Sequence, residues 1–202
     1  YCWTLTPFTP RFVFEADASV TRVTYVDADV WLRRSTAPFF SELDRAGKDV
    51  LITDHGYAPE YDQSATSGQY CVQFITFTRD GGAIVRKWWE ERCVEWCFDR
   101  FEEGKFGDQK YLDDWPERFS DHVHVVQDLE LALAPWNAER FPYGRCAIWH
   151  FHGLRLIKNG QQYRAHIGHY RLPKPVLDNV YKPYLADLRR AEPKDRDSRI
   201  FP

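Results

Sequence analysis

At 202 residues and 23.9 kDa, with 27 Lys and Arg against 30 Asp and Glu, the chain carries a formal charge of −3. That balance gives no general electrostatic reason to bind nucleic acid, and the length suffices for one well-buried core. Cys2, Cys71, Cys93, Cys97 and Cys146 are odd in number and lack paired CxxC spacing, which argues against a disulfide framework or a zinc knuckle and favours a reducing, cytoplasmic setting. No apolar run in this chain reaches the length of a membrane span, so membrane contact by this segment is expected to be peripheral. Aromatic residues are in excess, with 8 Trp, 11 Tyr and 14 Phe, enough for ligand-stacking surfaces as well as a core. The chain contains no Met, and the expectation is that an N-terminal segment of the same protein is missing from this sequence.

In chain order, Trp3, Leu5, Phe8, Phe12, Val13 and Phe14 surround Pro7 and Pro10 and predict a short packed helix. A strand follows over Val20 to Val26, and VTYVDADVWL places Asp27 and Asp29 two residues apart where it ends. Alternate residues of a strand share a face, so both carboxylates are expected to address one ion; a lone Asp-x-Asp more commonly opens a turn. Thr36 is placed to cap a helix through APFFSELDRA that ends at Gly47. Val50 to Thr53 is a short buried strand. Gly56 to Gln69 has no periodicity and reads as a long loop of the kind that often carries function.

Tyr70 to Phe77 alternates as a strand. Val85, Trp89, Cys93 and Trp96 then recur at helical spacing, predicting a long helix that ends near Gly104. Cys93 and Cys97, one turn apart on it, are expected to pack as small hydrophobes. GKFGDQKYLDDWPERF reads as a loop opening a second helix with Asp108 near its start, and HVHVVQ and CAIWHFH read as strands with APWN between them. Beyond Leu156, Lys158 to Gln162 is turn-like and RLPKP extended. VLDNVYKPYLADLRR is a helix interrupted at Pro183, and EPKDRDSRIFP is expected to be disordered. Strands alternating with helices predict an α/β fold, divided as residues 1–157 in one domain and 158–202 in a helical extension and tail.

Two segments carry chemistry. Carboxylate oxygens suit hard divalent cations, and an added imidazole moves the preference toward Mn²⁺. His150 and His152 in IWHFHGLR lie two apart on a predicted strand, followed by Gly153, which permits close backbone approach, and Arg155, a cation suited to phosphate oxygens. Two histidines on a polar sheet face are the ordinary alternative, and the strand-borne DxD outweighs it. Trp136 beside Asn137 and Trp115 beside Pro116 are the aromatics expected to form a ligand-stacking platform, whereas Trp88, Trp89 and Trp96 are expected in the core.

VTYVDADVW resembles the DxD segment of retaining, GT-A fold glycosyltransferases similar to family 8. HFHG resembles that family's HFxG metal and diphosphate motif, GDQKYLDDWP its DQ segment, and LAPWN with the Trp-rich helix further resembles family 8-like nucleotide-diphospho-sugar transferases. The resemblance covers about Tyr1 to Arg155. It implies an α/β, GT-A-like mixed sheet flanked by helices and incomplete at the N-terminus. It also implies a metal-dependent, hexosyltransferase-like enzyme that moves a sugar from a nucleotide-diphosphate donor, UDP-linked by the family guess, to an unknown carbohydrate, lipid or protein acceptor, with retention. Asp27 and Asp29 would hold Mn²⁺ or Mg²⁺ and, through it, the diphosphate, with His150 as the metal histidine and His152 as the alternative. Gly153 would admit the pyrophosphate, and Arg155 would stand in for the family's phosphate-binding Lys, whose position holds Leu156. Asp108 and Gln109 match the catalytic DQ pair beside the sugar. Where the family commonly has Asn-Ala-Gly the chain reads Cys71-Val72-Gln73, leaving Gln73 as the acceptor contact.

Two rivals bear on the same residues. DxD after an apolar strand also opens haloacid dehalogenase-like phosphatases, with Asp27 as nucleophile and GDQKYLDD as the late acidic motif. Trp31 is bulkier than the Thr or Val usual there, and GDQ lacks its expected strand. A non-catalytic, sugar-binding GT-A remnant is the other. No carboxylate pair presents itself as the nucleophile and acid of a retaining glycosidase.

Overall fold

The computed structural model describes residues 2–159 and 162–191. Its main sheet has four strands in the order β1 (Arg22–Val26), β4 (Tyr70–Thr78), β3 (Val50–Asp54) and β5 (Val123–Val125), antiparallel except for β3 beside β5. A second sheet orders β2 (Val30–Leu32), β7 (Ile148–His150) and β6 (Ala132–Leu133), and a hairpin pairs β8 (Arg155–Asn159) with β9 (Gln162–His166). The α/β expectation, mixed sheets flanked by helices, is what the chain adopts.

The two faces of the main sheet follow from alternation. Val50 and Ile52 of β3 turn toward Val85, Trp89 and Cys93 on the helix Ala83–Glu95, while Leu51 turns toward Phe39 and Leu43 on the helix Ala37–Ala46. Burying each such side chain stabilises the fold by roughly 1.5–3 kcal/mol relative to exposure. On β7, Ile148 faces this second cluster. Trp149 points the other way, against Val176, Val180 and Tyr181 of the C-terminal helical segment, and Tyr184 stacks on Phe151 at 3.8 Å.

One irregularity decides what points at the site. Leu51 pairs with Thr76 but Thr53 with Cys71, so the β3–β4 register shifts between them. A regular strand would send Gln73 to the side of Ile75 and Phe77. With the shift, Val72 joins that helix-side cluster instead, and Gln73 reaches across to β7. Re-aiming a side chain is a recognised effect of a bulge.

Several predicted elements have other bounds. Asp27 and Asp29 lie beyond β1, in a turn closed by Val30 N–H donating to Asp27 O at 3.1 Å. The helix over Ala83–Glu95 stops before Trp96, which is extended. Gly104 is half of a two-residue turn with Glu103, at φ 49° and 77°, that joins Glu102 to Lys105. Cys97 is therefore off the helix. Thr36 makes no side-chain cap; the Ser35 hydroxyl accepts from Ala37 N–H instead, while Gly47 ends that helix in the left-handed region as expected. Pro59–Tyr61 and Ser64–Ser67 form single turns inside the predicted long loop. Asp108 precedes a 3₁₀ segment, Lys110–Asp114, and a short helix, Trp115–Arg118. Of the turn-like 158–162 stretch, Lys158 and Asn159 end β8 and Gln162 begins β9, and residues 160 and 161 lie outside the described residues. Ahead of Pro183, which lacks an amide N–H, Leu177–Tyr181 widens into a π-helix. The disorder expected for 192–202 falls outside the described residues.

Candidate metal and sugar site

The DxD turn joins the two sheets. Asp27 N–H donates to Gln73 O on β4 at 3.1 Å, and Phe151 N–H, just after β7, donates to Asp29 O at 2.8 Å. The two carboxylates are thus fixed by a turn bonded to both sheets, where the sequence had suggested the side of a strand. Between them stands His150 at the end of β7, with Nε2 3.1 Å from Asp29 Oδ1 and 4.0 Å from Asp27 Oδ2. One ligand atom from each of the three lies within 4.8 Å of the other two.

His150 is held from behind. Its Nδ1 lies 2.9 Å from Gln73 Oε1, and both side chains are buried. An amide oxygen only accepts, so Nδ1 carries the proton and Nε2 is directed to the carboxylates, the arrangement typical of a metal-binding histidine. The Tyr25 hydroxyl donates to Asp27 Oδ1 at 2.7 Å. Burial raises the Asp27 carboxyl, against the lowering effect of His150 and Tyr25. Burial also acts upward on Asp29, but the hydrogen bond and charge of His150 carry it below the usual carboxylate range. Two carboxylates and an imidazole are a donor set that would fit a divalent cation.

These groups line a cleft of about 620 Å³ whose walls include Tyr25, His55, Tyr57, Trp136, His152 and Asp108. Trp136 is central: its indole N–H donates to His55 O at 2.8 Å, and its ring meets His55, His150 and His152 edge-on at 5.1, 5.2 and 5.5 Å. His152 lies past the end of β7 with Nδ1 3.0 Å from the Tyr170 hydroxyl, and burial lowers its pKa. Asp108 is 2% exposed, with Oδ2 unpartnered among the described residues. Burial pushes its carboxyl up to about 7, the Thr6 hydroxyl opposing. Gln109 also lines the cleft, but its amide is shared between Ser67 O, at 2.9 Å, and Val72 N–H, at 3.4 Å.

The other predicted site residues lie elsewhere. Trp115, expected as a stacking platform, is fully buried in the main core against Trp89 and Phe77. Asn137 is spent on backbone, donating to His55 O and accepting from Ala134 N–H, both at 2.9 Å. Gln73, expected to contact the acceptor, is the buried support of His150. Gly153, at φ 77°, makes the turn into β8, and exposed Arg155 sits on that strand outside the cleft lining. Tyr25, His55, Tyr57 and Tyr170 were missed. Tyr25 alone left a signal, lying two residues before Asp27 on a strand that alternates.

No family model matches the chain. It is 28% identical over 208 aligned positions to the uncharacterized protein YfnF of Bacillus subtilis strain 168, covering 93% of this chain and 67% of the relative. It is 27% identical over 209 positions to YfnD of the same organism, covering 94% and 65%. The chain thus spans about two thirds of the length of these curated relatives. Among solved structures it is similar to a glycosyltransferase involved in the glycosylation of the major capsid of PBCV-1. The TM-score is 0.55 and the identity 14%, over 75% of this chain and 70% of that one. At that identity the likeness is one of fold: mixed α/β, shared with a glycosyltransferase.

Proposed function

We propose that this chain, which has the fold of a glycosyltransferase, belongs to a divalent-cation-dependent enzyme of the GT-A, family 8-like kind. It would transfer a sugar from a nucleotide-diphosphate donor, UDP-linked, to a carbohydrate, lipid or protein acceptor, with retention. The observation that carries the reading is the Asp27–Asp29–His150 cluster at the wall of a cleft large enough for a sugar. Bound there, Mn²⁺ or Mg²⁺ supplies Lewis-acid stabilisation to the leaving nucleoside diphosphate.

The chain's own residues divide the remaining work. Asp27, Asp29 and His150 would hold the cation, Gln73 fixes the ring of His150, and Tyr25 orients Asp27. Asp108, brought near neutrality by burial, offers a hydrogen-bonding carboxyl to a sugar hydroxyl, and Gln109 holds the wall beside it. Trp136, 4% exposed, packs edge-on against His55, His150 and His152 and holds these cleft residues in place. The phosphatase alternative needs its late acidic motif on a strand, and Gly107–Asp108 lies in a loop before a 3₁₀ segment. A non-catalytic remnant has no need of the complete ligand trio.

The test incubates the full-length protein with a panel of nucleotide sugars, with and without Mn²⁺, and measures nucleotide release. Metal-dependent release is expected, and Asp29→Ala or His150→Ala should abolish it. Release that persists unchanged in EDTA refutes the metal assignment, and covalent trapping of Asp27 by beryllofluoride supports a phosphatase instead.

A further inference from the structure

His55 is a cleft residue that the proposed chemistry leaves unused, and its surroundings define its state. It follows β3 directly, and its side chain is 3% exposed. Nδ1 lies 3.0 Å from Gln69 O, a carbonyl that only accepts, so the proton of the neutral ring resides on Nδ1 and Nε2 carries the lone pair. The backbone is equally fixed: His55 N–H donates to Gln69 O at 2.9 Å, and His55 O accepts from both the Trp136 indole and the Asn137 amide. Tyr57 covers one ring face at 4.5 Å and an interplanar angle of 10°, and Trp136 meets the ring at a steep angle.

What this leaves open is the Nε2 edge. Among the described residues no side-chain hydrogen bond is made by Nε2, and the ring lines the cleft. Burial drives the ring's pKa down to about 3, so it is neutral at working pH. A lone pair on a rigid, uncharged ring, set among aromatic side chains, cannot bind an anion or supply a proton. It accepts a hydrogen bond, and in a cleft read as a sugar site the matching ligand group is a hydroxyl.

We infer that His55 is a specificity-determining residue whose Nε2 accepts a hydrogen bond from one hydroxyl of the carbohydrate bound in the cleft. This rests on the reading of the cleft as a sugar site. A site built to pair a hydroxyl discriminates against the analogue that lacks it, because its polar group is left unpaired.

The test uses the full-length protein and two readouts. In ¹⁵N imidazole spectra, with the His55 signals identified from their loss in His55→Gln, Nε2 should be unprotonated from pH 5 to 8. Its resonance should move on adding UDP-glucose or UDP-galactose with diamagnetic Mg²⁺, beyond any change with UDP and Mg²⁺, or methyl glycosides of glucose or galactose. A response to the nucleotide sugars alone places the hydroxyl on the transferred sugar, and a response to the glycosides places it on the acceptor. In nucleotide-release assays, replacing the paired hydroxyl by hydrogen should lower wild-type kcat/KM by about tenfold. His55→Phe should lose that discrimination, and His55→Gln, which keeps an acceptor atom, should retain much of it. A resonance unmoved by every probe, or full discrimination in a folded His55→Phe, overturns the inference. A resonance that moves without nucleotide release from any donor refutes the transferase reading and leaves the hydroxyl site standing.

Discussion

Replacing Gln73 by Leu should separate support of the metal site from contact with the acceptor. Gln73 is 1% exposed, and its Oε1 is the partner of His150 Nδ1 at 2.9 Å; its amide N–H reaches toward Thr53 Oγ1 at 3.4 Å. Leu is similar in volume and has no acceptor, so Gln73→Leu leaves a buried imidazole N–H unpaired, at a cost of about 1–3 kcal/mol. Losing the partner that orients a ligating histidine weakens metal binding by about 10–100-fold. Isothermal titration with Mn²⁺ should show that loss, together with a lower midpoint of thermal unfolding. Gln73→Glu keeps an oxygen for Nδ1–H and should recover most of the affinity, which a purely volumetric role would not require. An unchanged Mn²⁺ dissociation constant in a folded Gln73→Leu, or equal loss in both variants, refutes the assignment. A change confined to acceptor KM would return Gln73 to the role its sequence position suggested.

Tyr25→Phe removes the hydroxyl that donates to Asp27 and should weaken Mn²⁺ binding several-fold, within the ~0.5–1.5 kcal/mol of one hydrogen bond; unaltered titration curves would exclude that role. Asp108 titrates near 7 in the folded chain against an ordinary 3.8. Its stabilising contribution is therefore full below about 4 and is lost as pH rises to about 7, amounting to roughly 4 kcal/mol at 1.36 per unit. Asp108→Asn should flatten that part of the stability profile measured by urea unfolding between pH 5 and 8.5, and a parallel profile would contradict the assigned shift. Trp115→Ala should lower stability by about 3–5 kcal/mol, as for other large core aromatics. A fully stable variant with a raised acceptor KM would instead restore Trp115 as a platform.

How far the sequence is readable depends on how local the cause is. β4 was legible because Tyr70–Phe77 is rich in β-branched and aromatic residues and alternates well enough for a strand despite the bulge, and the helix from Ala83 because Val85, Trp89 and Cys93 recur every four residues. The helical pattern continues to Trp96, three residues after Cys93, yet the helix stops at Glu95. The following chain makes a loop closed by Gly107 N–H donating to Phe98 O, which periodicity does not record. Trp115 and Trp136 looked alike beside Pro116 and Asn137. Which of them faces the cleft is decided by partners distant in sequence: Trp89 and Phe77 enclose the first, while His55 O fixes the second at the wall.

By itself, the sequence determined the α/β character, the candidate carboxylates Asp27 and Asp29 with the pair His150 and His152 as candidate imidazoles, and the fitness of that donor set for a hard divalent cation. Those follow from residue type and short-range spacing, whereas the preference for His150 came from the family resemblance. The tertiary structure decided how they meet: a turn bonded to two sheets gathers the carboxylates, and β7 brings a histidine from more than a hundred residues away. It alone placed Gln73 and His55. A strand's side chains alternate regularly until a bulge resets their parity, and the shift opposite Leu51 and Thr53 turns an amide that alternation assigns to the core toward His150. The tautomer of His55 likewise depends on a carbonyl fourteen residues along the chain.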